Sequence, residues 1–281
     1  TSYTFAVNAY SAAGDGPQTT IIDKSYTTPS APVSFVANSS NGCPPLTVIL
    51  SWQSPDDGGN PLSSYRLLYG TTSLLLDPSL TLYNVTGLTA KTLYNFTLYG
   101  QNTGGAGIAS YASATPYATP SAPVTFRSVA GVASVSLLWA PPADDGGNAI
   151  SSYYLSYGST NVTLSSISSS YNATSLTPKT AYNFTLVAVN AGGVGAISTT
   201  SATPYTTPSA PLSFTAMNGS SSVSLTWSVP SDNGGSAILS YYLSYGTNNV
   251  TLPSSISSYN ATGLTPKTSY TFSLYAQNIG G

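Results

Sequence analysis

The sequence predicts an all-β protein made of small β-sandwich domains in tandem, and three observations carry that expectation. A five-residue pattern with aromatic third and fifth places returns four times, at Thr1-Ser-Tyr-Thr-Phe5, Thr92-Leu-Tyr-Asn-Phe96, Thr180-Ala-Tyr-Asn-Phe184 and Thr268-Ser-Tyr-Thr-Phe272. The copies lie 91, 88 and 88 residues apart, longer than a solenoid repeat of roughly 20–50 residues and suited to one all-β domain per period. Between them run short segments of alternating apolar and polar residues, bounded by clusters of Pro, Asp and Gly, which read as strands and turns.

The clearest strand is Val135-Ser-Leu137-Leu-Trp139, whose odd positions share one face of a sheet because successive side chains alternate. Its siblings are Val48-Ile-Leu50-Ser-Trp52 and Val223-Ser-Leu225-Thr-Trp227. Each is followed by a turn: Pro55-Asp-Asp-Gly-Gly59, Pro142-Ala-Asp-Asp-Gly-Gly147 and Pro230-Ser-Asp-Asn-Gly-Gly235. Here Gly supplies positive φ and Asp or Asn bonds its own backbone. A second strand follows at Tyr65-Arg-Leu67-Leu-Tyr69, Tyr153-Tyr-Leu155-Ser-Tyr157 and Tyr241-Tyr-Leu243-Ser-Tyr245. A later one, Tyr182-Asn-Phe184-Thr-Leu186-Val-Ala188, ends at Asn190-Ala-Gly-Gly193. Proline-rich joints, such as Thr115-Pro-Tyr-Ala-Thr-Pro120-Ser-Ala-Pro123, favour extended geometry, so the array is expected to be a rod rising on the order of 30–40 Å per domain.

These landmarks resemble the fibronectin type III domain, an immunoglobulin-like β-sandwich. The resemblance implies two antiparallel sheets of about seven strands per unit, with the Trp on strand B and the Tyr-x-Leu-x-Tyr run on strand C. It also implies a tyrosine corner at the turn into strand F. Leu176-Thr-Pro-Lys-Thr-Ala-Tyr182 and Leu264-Thr-Pro-Lys-Thr-Ser-Tyr270 match that motif in full, and Leu88-Thr-Ala-Lys-Thr-Leu-Tyr94 lacks the Pro. The expected domains are strands F and G of one unit over residues 1–27, whole units over 28–118 and 119–206, and a unit over 207–281 that lacks its last strand. The sequence thus reads as a window on a longer protein.

Composition narrows the function. Charged residues are 5% of the chain, against about 25% in a typical soluble domain, so something else must keep it soluble. All eight acids are Asp, Glu and His are absent, and the bases are Lys24, Arg66, Lys91, Arg127, Lys179 and Lys267. No basic stripe can be assembled for nucleic acid. No apolar run reaches the ~18 residues of a membrane span. The Ser/Thr-rich bias is mucin-like, yet 22 Tyr, 7 Phe and 3 Trp at fixed places argue for packed cores over disorder.

Without His, Glu or a second Cys, the usual Ser/His/Asp, Cys/His and zinc constellations cannot form, so neither an enzyme nor a cofactor is expected. The carboxylate pairs Asp56/Asp57 and Asp144/Asp145 admit a calcium reading, although turn chemistry already explains them and the third copy has Asp232-Asn233. Cys43, in a loop by its Pro and Gly neighbours, is either an unpaired thiol or a bond to another part of the chain or another subunit. Asn-x-Ser/Thr sequons stand at Asn38, Asn84, Asn95, Asn161, Asn172, Asn183, Asn218, Asn249 and Asn260. Asn84, Asn172 and Asn260 recur at the 88-residue spacing, and alternation turns Asn95 and Asn183 outward, where glycans would answer the solubility question. Outward Tyr154 and Tyr242 could stack on sugars or a neighbouring subunit, or be ordinary β-formers.

The leading expectation is a structural, glycosylated, extracellular array: part of a surface filament, stalk, coat layer or long adhesin, partnered by further repeats or copies of itself and by covalent N-glycans. Spacer modules in a secreted polysaccharide-active enzyme form a second reading. A carbohydrate-binding or receptor ectodomain, with surface polysaccharide as partner, forms a third. The shortage of titrating groups also suits acidic surroundings.

Overall fold

The computed structural model describes residues 2–39 and 46–281, and among them every regular element is a strand. The chain divides into two compact units. One comprises Thr1–Pro120 with Asp144–Ile150 and Val189–Val194; the other comprises Ser121–Ala143, Ser151–Ala188 and Gly195–Gly281.

The first unit opens with an antiparallel hairpin, Ser2–Val7 paired with Thr19–Lys24 from Ser2↔Lys24 to Val7↔Thr19. Every residue of both strands is exposed, including Phe5 and Ile22, because no second sheet among the described residues covers them. The sandwich that follows places strands A (Val33–Ser39), B (Val48–Gln53) and E (Leu82–Val85) in one sheet, in the order A-B-E. The other sheet holds C′ (Thr72–Leu76), C (Ser64–Tyr69), F (Tyr94–Asn102) and G (Ser110–Ala114), with F bonded to both C and G. Val48, Leu50 and Trp52 face Tyr65, Leu67, Phe96 and Leu98 across the core, all buried. Burying a side chain of this size contributes about 1.5–3 kcal/mol, and the Trp52 and Tyr65 rings add an edge contact at 5.4 Å and 73°.

The second unit repeats this plan. Strands A (Val124–Gly131), B (Ser134–Ala140) and E (Ser170–Ala173) form one sheet of the middle sandwich. C′ (Thr160–Ser165), C (Ser152–Tyr157), F (Tyr182–Asn190) and G (Gly193–Ala202) form the other. In the third sandwich, Leu212–Asn218, Ser222–Ser228 and Ser258–Thr262 pair in the order A-B-E, and Asn248–Pro253, Ser240–Tyr245 and Phe272–Gln277 in the order C′-C-F. The expected alternation holds: Val135, Leu137 and Trp139 are buried while Ser136 and Leu138 are exposed.

The tyrosine corner is present three times. The hydroxyls of Tyr94, Tyr182 and Tyr270 accept hydrogen bonds from the amides of Thr89, Thr177 and Thr265, each at 3.1 Å. Hydrogen bonding from Thr89, backbone and side chain, and from Thr265, side chain and backbone, holds the Tyr94 and Tyr270 phenols below the usual range, since donors aimed at the oxygen favour the phenolate.

Candidate functional site

Three features recur in each sandwich and could act beyond it: the outward asparagines, the Asp-Gly-Gly turn, and the lysine of the turn into strand F. All nine sequon asparagines are exposed. Asn84, Asn172 and Asn260 lie on strand E, with Asn38 and Asn84 flanking Ile49 in one row across the A-B-E sheet. Asn95 and Asn183 lie on F, and Asn161 and Asn249 on C′, so both sheets carry them. On the A-B-E face, Ser136 Oγ donates to Asn172 Oδ1 at 3.3 Å and Ser224 Oγ to Asn260 Oδ1 at 3.2 Å, which occupies the carbonyl end of each amide.

The Asp pairs behave as turn residues. Asp56, Asp57, Asp144, Asp145, Asp232 and Asn233 each accept, through Oδ1, the amide of the glycine two places on, at 2.7–2.9 Å. No group of three potential metal ligands gathers among the described residues. Cys43 lies outside the described residues. Tyr154 and Tyr242 are 43% and 39% exposed on their sheet faces.

The sequence shows the joints as extended, proline-rich segments but not the contacts that grip them. In the first unit the Lys91 ammonium donates to Asp144 of the next repeat's turn; in the second, Lys179 does the same to Asp232. Both lysines adopt left-handed backbone, φ 61° and 63°, which aims the side chain forward from the turn. The paired lysine holds Asp144 and Asp232 below the usual carboxylate range, helped by the amides of Gly146 and Gly234, and Asp144 in turn raises Lys91. Gly147, at φ 87°, lies under the lysine stem: a Cβ there would stand 2.8 Å from Lys91 Cγ. The joint peptide is also gripped. Lys91 N donates to Pro116 O at 3.1 Å and Leu46 N to Tyr117 O at 3.0 Å; Lys179 N donates to Pro204 O at 2.8 Å and Ala133 N to Tyr205 O at 3.0 Å. A signal was there to find, since three of the four lysines share one place in the repeat and each paired Asp lies 53 residues on.

A buried asparagine completes each joint. Asn102, Asn190 and Asn278 are 6%, 5% and 2% exposed. Their amides donate to the carbonyls of Thr27, Ala118 and Thr206 in the incoming peptide, at 2.8–2.9 Å, and to the carbonyls of Asp57, Asp145 and Asn233 in the Asp-Gly-Gly turn. Their Oδ1 atoms accept from Gly104, Gly192 and Gly280. What reads in the sequence as a plain Gly-rich loop is a clamp.

A family model described as the fibronectin type III domain matches residues 31–115, 118–204 and 207–281. Exoglucanase B of Cellulomonas fimi is 31% identical over 242 residues, 79% of this chain and 22% of that protein. Receptor-type tyrosine-protein phosphatase eta of Gallus gallus is 31% identical over 291 residues, 100% of this chain and 20% of that protein. The chain therefore spans about a fifth of the length of these relatives. Among solved structures, the chicken CNTN1 FN1-FN3 domains align with 90% of this chain and 95% of theirs at 20% identity, with a TM-score of 0.35.

Proposed function

Because the chain belongs to the fibronectin type III family through three consecutive domains, we propose that it is a structural stretch of an extracellular or cell-surface protein, a glycosylated array whose task is to hold its repeats in a set succession. The repeated joint carries this reading. A chain with six basic residues commits Lys91 and Lys179 to gripping the next repeat's turn. Fibronectin type III domains are non-catalytic modules. Glycans on the nine exposed asparagines would cover both sheet faces with hydrophilic bulk, which explains how so weakly charged a surface stays soluble. A filament, stalk, coat layer or long adhesin would each use such an array.

The test is glycopeptide mass spectrometry of the native protein with electron microscopy of the same material. Occupied sites on Asn84, Asn172 and Asn260 in a repeating assembly are the expected result. Bare asparagines would sink the glycosylated array. A compact globular head would favour the second reading, spacer modules of a secreted polysaccharide-active enzyme, which the matches to exoglucanase B and endoglucanase B of Cellulomonas fimi support.

A further inference from the structure

We propose that the groove beside Tyr154, on the outer face of the middle sandwich's C′-C-F-G sheet, is the seat of the first sugar of a glycan linked to Asn161, with the sugar ring lying against the tyrosine. The inference deepens the array reading and rests on its glycosylation.

Strand pairing brings the parts together. Across the ladder of strands C and C′, Tyr154 stands opposite Thr163 and Ser156 opposite Asn161. These positions alternate with buried Tyr153, Leu155 and Tyr157, so they share the outer face. Asn161 is thereby the diagonal neighbour of Tyr154, at the ~7–8 Å that such a pair keeps, a gap that an asparagine and a sugar ring on its Nδ2 together span. Thr185 and Val187 of strand F form the far wall, and the open groove has a volume of about 370 Å³. Its lining suits a sugar. The exposed ring of Tyr154 offers a flat apolar face to the C–H side of a pyranose, and Thr163 and Thr185 supply hydroxyls for its polar rim. Attachment replaces one proton of Asn161 Nδ2 with the anomeric carbon of a sugar delivered as an activated diphosphate donor: the new C–N bond forms as the bond from that carbon to the departing diphosphate breaks. The hydroxyl residue that the sequon demands is Thr163, which faces Tyr154.

The tyrosine and the sequon recur together. In the third sandwich Tyr242 stands opposite Thr251 and Ser244 opposite Asn249, the same set of four residues, and Tyr242 is exposed. In the first sandwich Arg66 takes the place of the tyrosine, Ser73 that of the asparagine and Leu75 that of the threonine. There Arg66 Nε donates to Ser73 Oγ at 3.1 Å, so a polar pair occupies the same part of the sheet. The ring is present where a glycan can be attached beside it and absent where it cannot. Asn172, on the other sheet, stands opposite Ser136 and serves as the comparison site.

Site-resolved mass spectrometry of the full chain and its variants, made in their native cells, tests this before and during digestion of the folded protein with an amidase that cleaves the glycan–asparagine bond. Asn161 is expected to be occupied and to lose its glycan more slowly than Asn172. Tyr154→Ser should speed release at Asn161 about fivefold, because the stacking contact is lost, and leave release at Asn172 unchanged. Tyr154→Phe, which keeps the ring, should hold the wild-type rate. Release at Asn161 indifferent to Tyr154→Ser, or a bare Asn161 in a protein glycosylated elsewhere, would overturn the proposal while the array reading stands. Faster release at both sites alike would assign the effect to a loosened sandwich and overturn it equally. Nine bare asparagines would remove both readings.

Discussion

Asparagine does two different jobs in this chain, and the neighbours of each decide which. Asn172 sits exposed on a sheet face with its Oδ1 accepting from Ser136, whereas Asn190 is buried with both ends of its amide bonded to backbone. Asn190→Ala leaves the carbonyls of Ala118, Asp145 and Asn148 and the Gly192 amide without their partner, and each such loss costs about 1–3 kcal/mol. The middle sandwich is therefore expected to lose at least ~2 kcal/mol in urea unfolding, while Asn172→Gln in non-glycosylated protein should stay within ~0.5 kcal/mol. Equal losses at the two sites would contradict the clamp. Tyr182→Phe removes one hydrogen bond and little volume, so about 1 kcal/mol is expected from the same measurement. The corner tyrosine was legible in the sequence because its motif is local. The clamp was not, because its partners lie 45 and 72 residues away.

At the scale of the element, the joint works through geometry more than strength. The Lys91–Asp144 pair leaves its side chains 47% and 57% exposed, and pairs of that kind contribute ~0–1 kcal/mol. Its worth lies in direction, supplied by left-handed Lys91 and by a glycine under its stem. Gly147→Ala puts a Cβ into the lysine and imposes φ 87° on an alanine, so it should disturb the joint while the sandwich cores stay folded. A changed distance between fluorescent labels placed either side of the joint, with an unchanged melting temperature, would register this.

The same labels read the pH dependence. Asp144 and Asp232 have folded values lowered by their lysines, so the contribution is present above the unfolded carboxylate value, about pH 4, and is lost as pH falls through the folded value. Joint order should hold from pH 7 to about 4 and decay below it. Decay already at pH 6 would assign the joint to another group.

For the molecule as a whole, solubility and acid response follow from how few charges there are. With no Glu or His, little changes ionisation between pH 7 and about 4, and the melting temperature of the sandwiches should vary little across that range in calorimetry. A collapse above pH 4 would count against acidic surroundings as the native setting. If the native protein carries the proposed N-glycans, their enzymatic removal should promote aggregation, seen by light scattering, because the sheet faces present exposed Val129, Tyr111 and Tyr275.

The sequence by itself determined the architecture: period-2 alternation at Val135, Leu137 and Trp139, the Asp-Gly-Gly turns and the 88-residue recurrence are local signals, set by sterics and by which face meets water. It also marked the nine asparagines by their Asn-x-Ser/Thr motif, and alternation turned Asn95 and Asn183 outward beside buried Phe96 and Phe184. Only the tertiary structure decided that Lys91 and Lys179 reach into the following turns and that Asn190 locks the incoming peptide. Those partners are distant in sequence, and the lysines become neighbours of the aspartates only after each turn has taken its left-handed residue. Contacts that close after the strands have folded leave no periodicity in the chain, because what they require is a direction in space rather than a pattern along the backbone.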